Sequence, residues 1–195
     1  MPTPYRLLYR IGHTPWDGVA APAPLLDLLA ELPPGRALDI GCGTGMHSRL
    51  LAESGWQVTG VDLIGRALET AARRTPAELA DRIDYVRGDA TKLGAVLPSV
   101  VFDLVLDVGC FHGLGEGSRE RYLRSLAPFT GAGSVLFLMA TQPRKGIGPH
   151  GMDAHDARRY AGADWRLDDV VEHAEVAGAS VLKGAVFSWY RFHRV

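Results

Sequence analysis

The chain has 195 residues, 47% hydrophobic and 22% charged, with 21 Lys and Arg against 22 Asp and Glu and a net charge of −1. That length fits one domain with a substantial core, and the apolar content excludes a disordered chain. Balanced charge removes the simplest case for a nucleic-acid partner, which would show as a basic excess. The two cysteines cannot build a disulfide framework and point to a reducing, cytoplasmic setting. No apolar stretch reaches the ~20 residues of a membrane helix, and the first residues lack the apolar core of a signal peptide.

Residues 1–24 read as a lid segment, with residues 25–195 as the main domain. In the lid, Tyr5, Leu7, Leu8, Tyr9 and Ile11 suggest a short amphipathic helix, and Thr14-Pro15-Trp16-Asp17-Gly18 a turn. Leucines at helical spacing predict a helix over 22–32, ended by Pro33-Pro34-Gly35. Strand and helix then alternate. Strands are expected at 37–40, 56–61, 83–86, 102–108 and 134–139, and helices at 46–54, 64–74 and 119–126. Such alternation predicts an α/β fold, a doubly wound parallel sheet with helices on both faces. After a Gly/Pro loop at 142–151, a helix with Asp153 as N-cap is expected. Two β-like runs at 167–174 and 185–193 are close enough to pair antiparallel.

Asp39-Ile40-Gly41-Cys42-Gly43-Thr44-Gly45 lies between a predicted strand and a predicted helix. A phosphate-binding Walker loop would need Gly-Lys-Ser/Thr at its end, where Met46-His47-Ser48 stands. A dinucleotide loop would need a third glycine at Met46, and the Asp39 carboxylate would repel a pyrophosphate. A cofactor with an amino-acid end fits better. Its ammonium group wants Asp39, and its close approach to the backbone wants Gly41 and Gly43. S-adenosylmethionine has this shape, although a glycine-rich turn by itself can also be only a turn.

Two further carboxylates follow at strand ends. Asp62, 21 positions after Gly41 and expected at an exposed strand end, can accept both hydroxyls of a ribose. Gly88-Asp89-Ala90 ends the third predicted strand, where an Asp and a backbone N–H can read an adenine edge. Ligands of open α/β sheets bind at these carboxyl ends.

Leu38-Asp39-Ile40-Gly41-Cys42-Gly43-Thr44-Gly45, Val61-Asp62, Gly88-Asp89-Ala90 and Phe102-Asp103-Leu104-Val105-Leu106-Asp107 resemble the motif series of class I S-adenosylmethionine-dependent methyltransferases. The resemblance covers about residues 35–140. It implies a Rossmann-like seven-stranded sheet with the last strand antiparallel. It also implies cofactor contacts at Asp39, Gly41, Cys42, Gly43, Gly45, Asp62, Leu63, Asp89, Ala90 and Asp107, and S-adenosylhomocysteine as product. Thr14-Pro15-Trp16-Asp17-Gly18 and Asp107-Val108-Gly109-Cys110-Phe111-His112-Gly113-Leu114 resemble small bacterial enzymes near the thiopurine, thiol and halide methyltransferases and those acting on heteroaromatic metabolites. Thr130-Gly131-Ala132-Gly133-Ser134 departs from the Pro-Gly-Gly usual before the fifth strand.

In this fold the loop after the fourth strand faces the transferred methyl. His112 is then the candidate base or substrate partner, with Asp107 beside it and Phe111 near the acceptor. Tyr5, Tyr9 and Trp16 would form an aromatic lid, flanked by Gln142, Arg144, Lys145 and His150. Trp189, Tyr190 and Arg191 read as core and edge residues. No His or Cys spacing calls for a metal, and none is needed. The expected reaction is O-, N- or S-methylation of a small molecule. The alternatives are a cofactor-binding protein that does not methylate, and a macromolecule methyltransferase, which would be expected to carry a basic surface or an Asn/Asp-Pro-Pro-aromatic tetrapeptide.

Overall fold

The computed structural model describes residues 21–143, 151–173 and 186–195. Tyr5, Tyr9, Trp16 and the turn at 14–18 lie outside the described residues, as do Arg144, Lys145 and His150. Helix α1 (Ala23–Glu31) starts behind Pro22 and buries Leu25 and Leu28, three apart on one face. It stops where Leu32 turns extended ahead of Pro33.

The strand and helix alternation follows. Strand β1 is Arg36–Ile40, α2 Met46–Glu53, β2 Gln57–Asp62, α3 Gly65–Arg74 and β3 Ile83–Arg87. Then come β4 (Leu104–Val108), α4 (Glu116–Leu126), β5 (Val135–Thr141), α5 (Ala154–Ala161), β6 (Trp165–His173) and β7 (Phe187–Arg194). The seven strands form one sheet in the order β3-β2-β1-β4-β5-β7-β6. The first five run parallel, and β7 runs antiparallel to both β5 and β6. The expected sheet and its antiparallel last strand are both present. Asp153 caps α5 as expected, its carboxylate accepting the Asp156 N–H at 2.8 Å.

Burial on both faces explains the continuous apolar runs of the central strands. Successive residues of β5 alternate between two cores: Leu136, Leu138 and Ala140 enter one, Val135, Phe137 and Met139 the other. Trp56, Trp189, Tyr122 and Tyr190 are the largest enclosed side chains, and Phe137 stacks on Trp189 at 4.7 Å between ring centroids. Each such burial contributes about 1.5–3 kcal/mol. Arg191 reaches out to Glu31 with two 2.7 Å hydrogen bonds.

Some boundaries differ from expectation. Phe102 lies outside the ladder because its N–H bonds Phe129 and its carbonyl takes the Ser134 hydroxyl. A 3-10 stretch at Ala77–Arg82, which has no apolar periodicity, precedes β3. Edge strand β6 begins at Trp165 and carries a bulge between Leu167 and Asp169. Exposed Arg166, Asp168, Asp169 and Glu172 blunt that edge.

Candidate cofactor and acceptor site

The glycine loop crosses from β1 to α2 at the carboxyl end of the sheet. Gly41, Gly43 and Gly45 have φ of 72°, 56° and 76°, a region that side chains with a Cβ rarely enter. Space is as restrictive as conformation. A Cβ on Gly41 would stand 2.8 Å from the Cys110 Cβ, and one on Gly45 would stand 2.3 Å from the Tyr85 hydroxyl. The loop is pinned to β2 by bonds from the Gly41 and Cys42 N–H groups to the Val61 carbonyl, at 2.8 and 3.2 Å.

Three carboxylates converge on this loop from neighbouring strands β2, β1 and β4. Asp39, 2% exposed, takes a 2.6 Å hydrogen bond from the Ser48 hydroxyl of α2. Burial, supplemented by the Asp107 and Asp62 charges, pushes its pKa up to about 7. Asp62 accepts the Gly43 N–H at 3.0 Å and the Ile64 N–H at 2.8 Å. It is 4% exposed, so the expectation of an exposed strand end is corrected: the carboxylate sits inside the turn it braces. Burial raises its pKa despite those two N–H groups. Asp107 is fully buried and accepts from the Cys110 N–H at 2.8 Å and the Phe111 N–H at 3.1 Å. Burial again dominates, pushing it up to about 6.

Asp89 forms an Asx turn, one oxygen accepting both the N–H and the hydroxyl of Thr91 at 2.8 Å. Beside it, the Ala90 carbonyl takes the Ser125 hydroxyl at 2.6 Å. The Leu63 carbonyl takes the Arg87 Nε–H at 3.3 Å. Both cysteines are free, and burial pushes both thiols well above their ordinary range. Among the described residues no His, Cys, Asp and Glu group is arranged to hold a metal.

The segment after β4 lies on the glycine loop through the Cys110–Gly41 contact. Within it Phe111 is 1% exposed, packed edge-on against Tyr122 and Tyr160 at 5.3 and 5.4 Å. The ring, expected near the acceptor, packs here into the core. His112, 3% exposed, accepts the Thr141 N–H on Nδ1 at 3.1 Å. Burial, with the Arg119 charge adding, holds its pKa down to about 4. The Nδ1 lone pair that a base would use is already engaged.

Sequence reasoning missed Arg119. It is 4% exposed and lies over the Phe111 ring at 5.1 Å. It bonds the carbonyls of Leu114, His112 and Gly151 at 3.0, 3.1 and 2.7 Å. Its helical position among charged neighbours gave no sign of burial. Ser48 and His47 were also missed. The His47 Nε2 is buried with no partner among the described residues, and burial with the Arg49 charge lowers its pKa to about 4.

A methyltransferase domain model matches residues 37–143. An uncharacterised methyltransferase of Schizosaccharomyces pombe is 33% identical over 103 residues, 53% of this chain and 69% of that one. The 2-heptyl-1-hydroxyquinolin-4(1H)-one methyltransferase of Mycobacteroides abscessus is 26% identical over 173 residues, 82% and 71% of the two chains. The fold is that of the 1,6-didemethyltoxoflavin-N1-methyltransferase of Burkholderia thailandensis, solved with S-adenosylhomocysteine, at a TM-score of 0.78 and 20% identity. That match covers 99% of this chain and 86% of that one. The glycine loop, the three strand-end carboxylates and this matched domain make the chain a member of the class I S-adenosylmethionine-dependent methyltransferases.

Proposed function

We propose that the chain methylates a small-molecule acceptor. One observation supports this most: Arg119 ties the segment after β4 to Gly151 beyond β5, so the chain's own segments wall the acceptor side. That arrangement suits a small molecule more than a folded polymer. The quinolone and toxoflavin enzymes named above act on small heteroaromatic compounds, which supports the same reading.

The residues fit the cofactor. Asp39, bonded by Ser48 and facing no cationic side chain in its recorded interactions with neighbouring charges, suits a cationic amino-acid end, and Asp62 keeps lone pairs for ribose hydroxyls. Asp89 and Ala90 are assigned to the adenine side, and Gly41, Gly43 and Gly45 to backbone approach. When bound, S-adenosylmethionine supplies an electrophilic methyl on a sulfonium. Asp107 holds the loop after β4 by its backbone N–H groups, and that loop aligns the acceptor's lone pair and excludes water. His112, whose Nδ1 takes the Thr141 N–H, is not assigned as the base, and an acceptor already ionised at neutral pH needs none. Tyr5, Tyr9 and Trp16 are retained as lid candidates over residues 1–24, and the free cysteines suit a cytoplasmic setting.

The test is release of S-adenosylhomocysteine from labelled cofactor with phenols, thiols, quinoline-type heterocycles and halides, beside RNA and protein. Label on a small molecule is expected. Label on RNA or protein overturns the acceptor class, and cofactor binding without turnover of any acceptor overturns methyl transfer.

A further inference from the structure

We propose that His112 presents a neutral Nε2–H to the acceptor molecule and so selects acceptors with a lone pair, on a ring nitrogen or carbonyl oxygen, beside the methylated atom. This rests on the methyl-transfer reading above and adds the substrate chemistry of that site. The tautomer is fixed by backbone geometry. Thr141 is the last residue of β5, and its N–H donates to Nδ1 at 3.1 Å. Nδ1 therefore carries no proton, and the ring proton is on Nε2. A second proton on Nδ1 would set two N–H groups against each other and orphan a buried backbone donor, which folded proteins almost never do. The Arg119 guanidinium, bonded to the His112 carbonyl, opposes an imidazolium further.

Nε2 stands beside the backbone of Gly109, the residue that follows β4. The glycine at 109 leaves the room: a Cβ there would lie 3.3 Å from Nε2, and Gly109 holds a φ of +89°. The neighbouring Cys110 rests on Gly41 of the cofactor loop. No described residue accepts a hydrogen bond from Nε2, although the side chain is almost wholly buried. A ring N–H that no described residue satisfies is free to donate to a bound ligand. A group that can only donate, or a bare C–H, leaves it unpaired. Sites built to hydrogen-bond a substrate discriminate strongly against analogues that cannot.

Two measurements test this on the intact protein. Nitrogen NMR of His112 in the presence of S-adenosylhomocysteine should show Nε2 protonated and Nδ1 bare from about pH 5 to about pH 8. A proton on Nδ1, or titration within that range, overturns the proposal without touching the methyl-transfer reading. Methyl transfer to 8-hydroxyquinoline and 1-naphthol, alike except for the ring nitrogen, should favour the former by about tenfold to a hundredfold in kcat/KM. His112→Asn keeps an acceptor for Thr141 but loses reach, and should abolish the preference. His112→Gln restores a donor near Nε2 and should recover part of it. Equal use of both compounds by the parent protein, or turnover of neither, overturns the acceptor chemistry. Retained S-adenosylhomocysteine binding then leaves the cofactor reading standing.

Discussion

A terminal nitrogen of Arg119 donates to the Gly151 carbonyl at 2.7 Å across 32 positions of sequence, and also donates to the His112 carbonyl at 3.1 Å. One guanidinium thus joins the loop after β4 to the chain beyond β5. It does so with no carboxylate partner among the described residues, using carbonyl dipoles and the Phe111 and Tyr160 rings.

Arg119→Met would leave three carbonyls without that donor, two of them bonded by the same nitrogen. Bonds to charged groups contribute about 1.5–3 kcal/mol each, so a loss of at least ~2 kcal/mol in urea unfolding is expected. Arg119→Lys, with a point charge in place of the fork, should recover only part. Stability equal to the parent in the Met variant would show that the clasp contributes nothing.

Asp62→Ala should weaken S-adenosylhomocysteine binding by ~1.5–3 kcal/mol. Because Asp62 also braces Gly43 and Ile64 from a buried position, the variant should unfold at lower urea as well. Calorimetry on the folded variant checks the first effect. Unchanged affinity there sinks the ribose assignment.

The Asp39 carboxyl, at about 7 in the folded chain against an ordinary 3.8, favours its protonated form on folding. Its contribution to stability is fully present below the unfolded pKa and is lost as pH rises through the folded value. His112, at about 4 against 6.5, has the opposite sign and loses stability as pH falls below its unfolded pKa. Comparing Asp39→Asn with the parent isolates the aspartate. The difference in urea midpoint should shift toward the variant between about pH 4 and about pH 8. A difference independent of pH would place the ionised carboxylate in the folded chain throughout.

Gly45→Ala combines a φ of +76° with a Cβ 2.3 Å from the Tyr85 hydroxyl and 2.9 Å from the Ala71 Cβ. A loss exceeding ~1 kcal/mol is expected. Tyr85→Phe in the same chain should recover part of it by removing the nearest atom. A double-mutant cycle reads this coupling directly; strict additivity would show that backbone strain alone sets the cost.

The sheet was legible because its signals are local: apolar runs of strand length, glycines at strand ends and an N-cap at Asp153. The glycine loop was legible for the same reason, since Asp39 and Gly41–Gly45 are contiguous, Asp62 ends β2 and Asp89 closely follows β3. The packing of the segment after β4 was not. His112 and Arg119 belong to separate elements, and only the β4–β5 pairing brings Thr141 against the imidazole. Phe111 looked like a pocket residue beside the site, but its packing is decided by Tyr122 and Tyr160. Asp62 looked exposed because strand ends usually are, and its burial follows from the glycine loop folding back over it.

The placement of β7 between β5 and β6 has a consequence for how the chain assembles. A polypeptide leaving the ribosome from its N-terminus can pair β1 through β5 as each strand emerges. Strand β6 finds no neighbour until residues 187–194 are free. Until then β5, all seven of whose residues end up buried, is an open apolar border. Strand β7 then pairs with β5 on one side and β6 on the other. That interval is when the nascent chain is most exposed to aggregation and to chaperone capture.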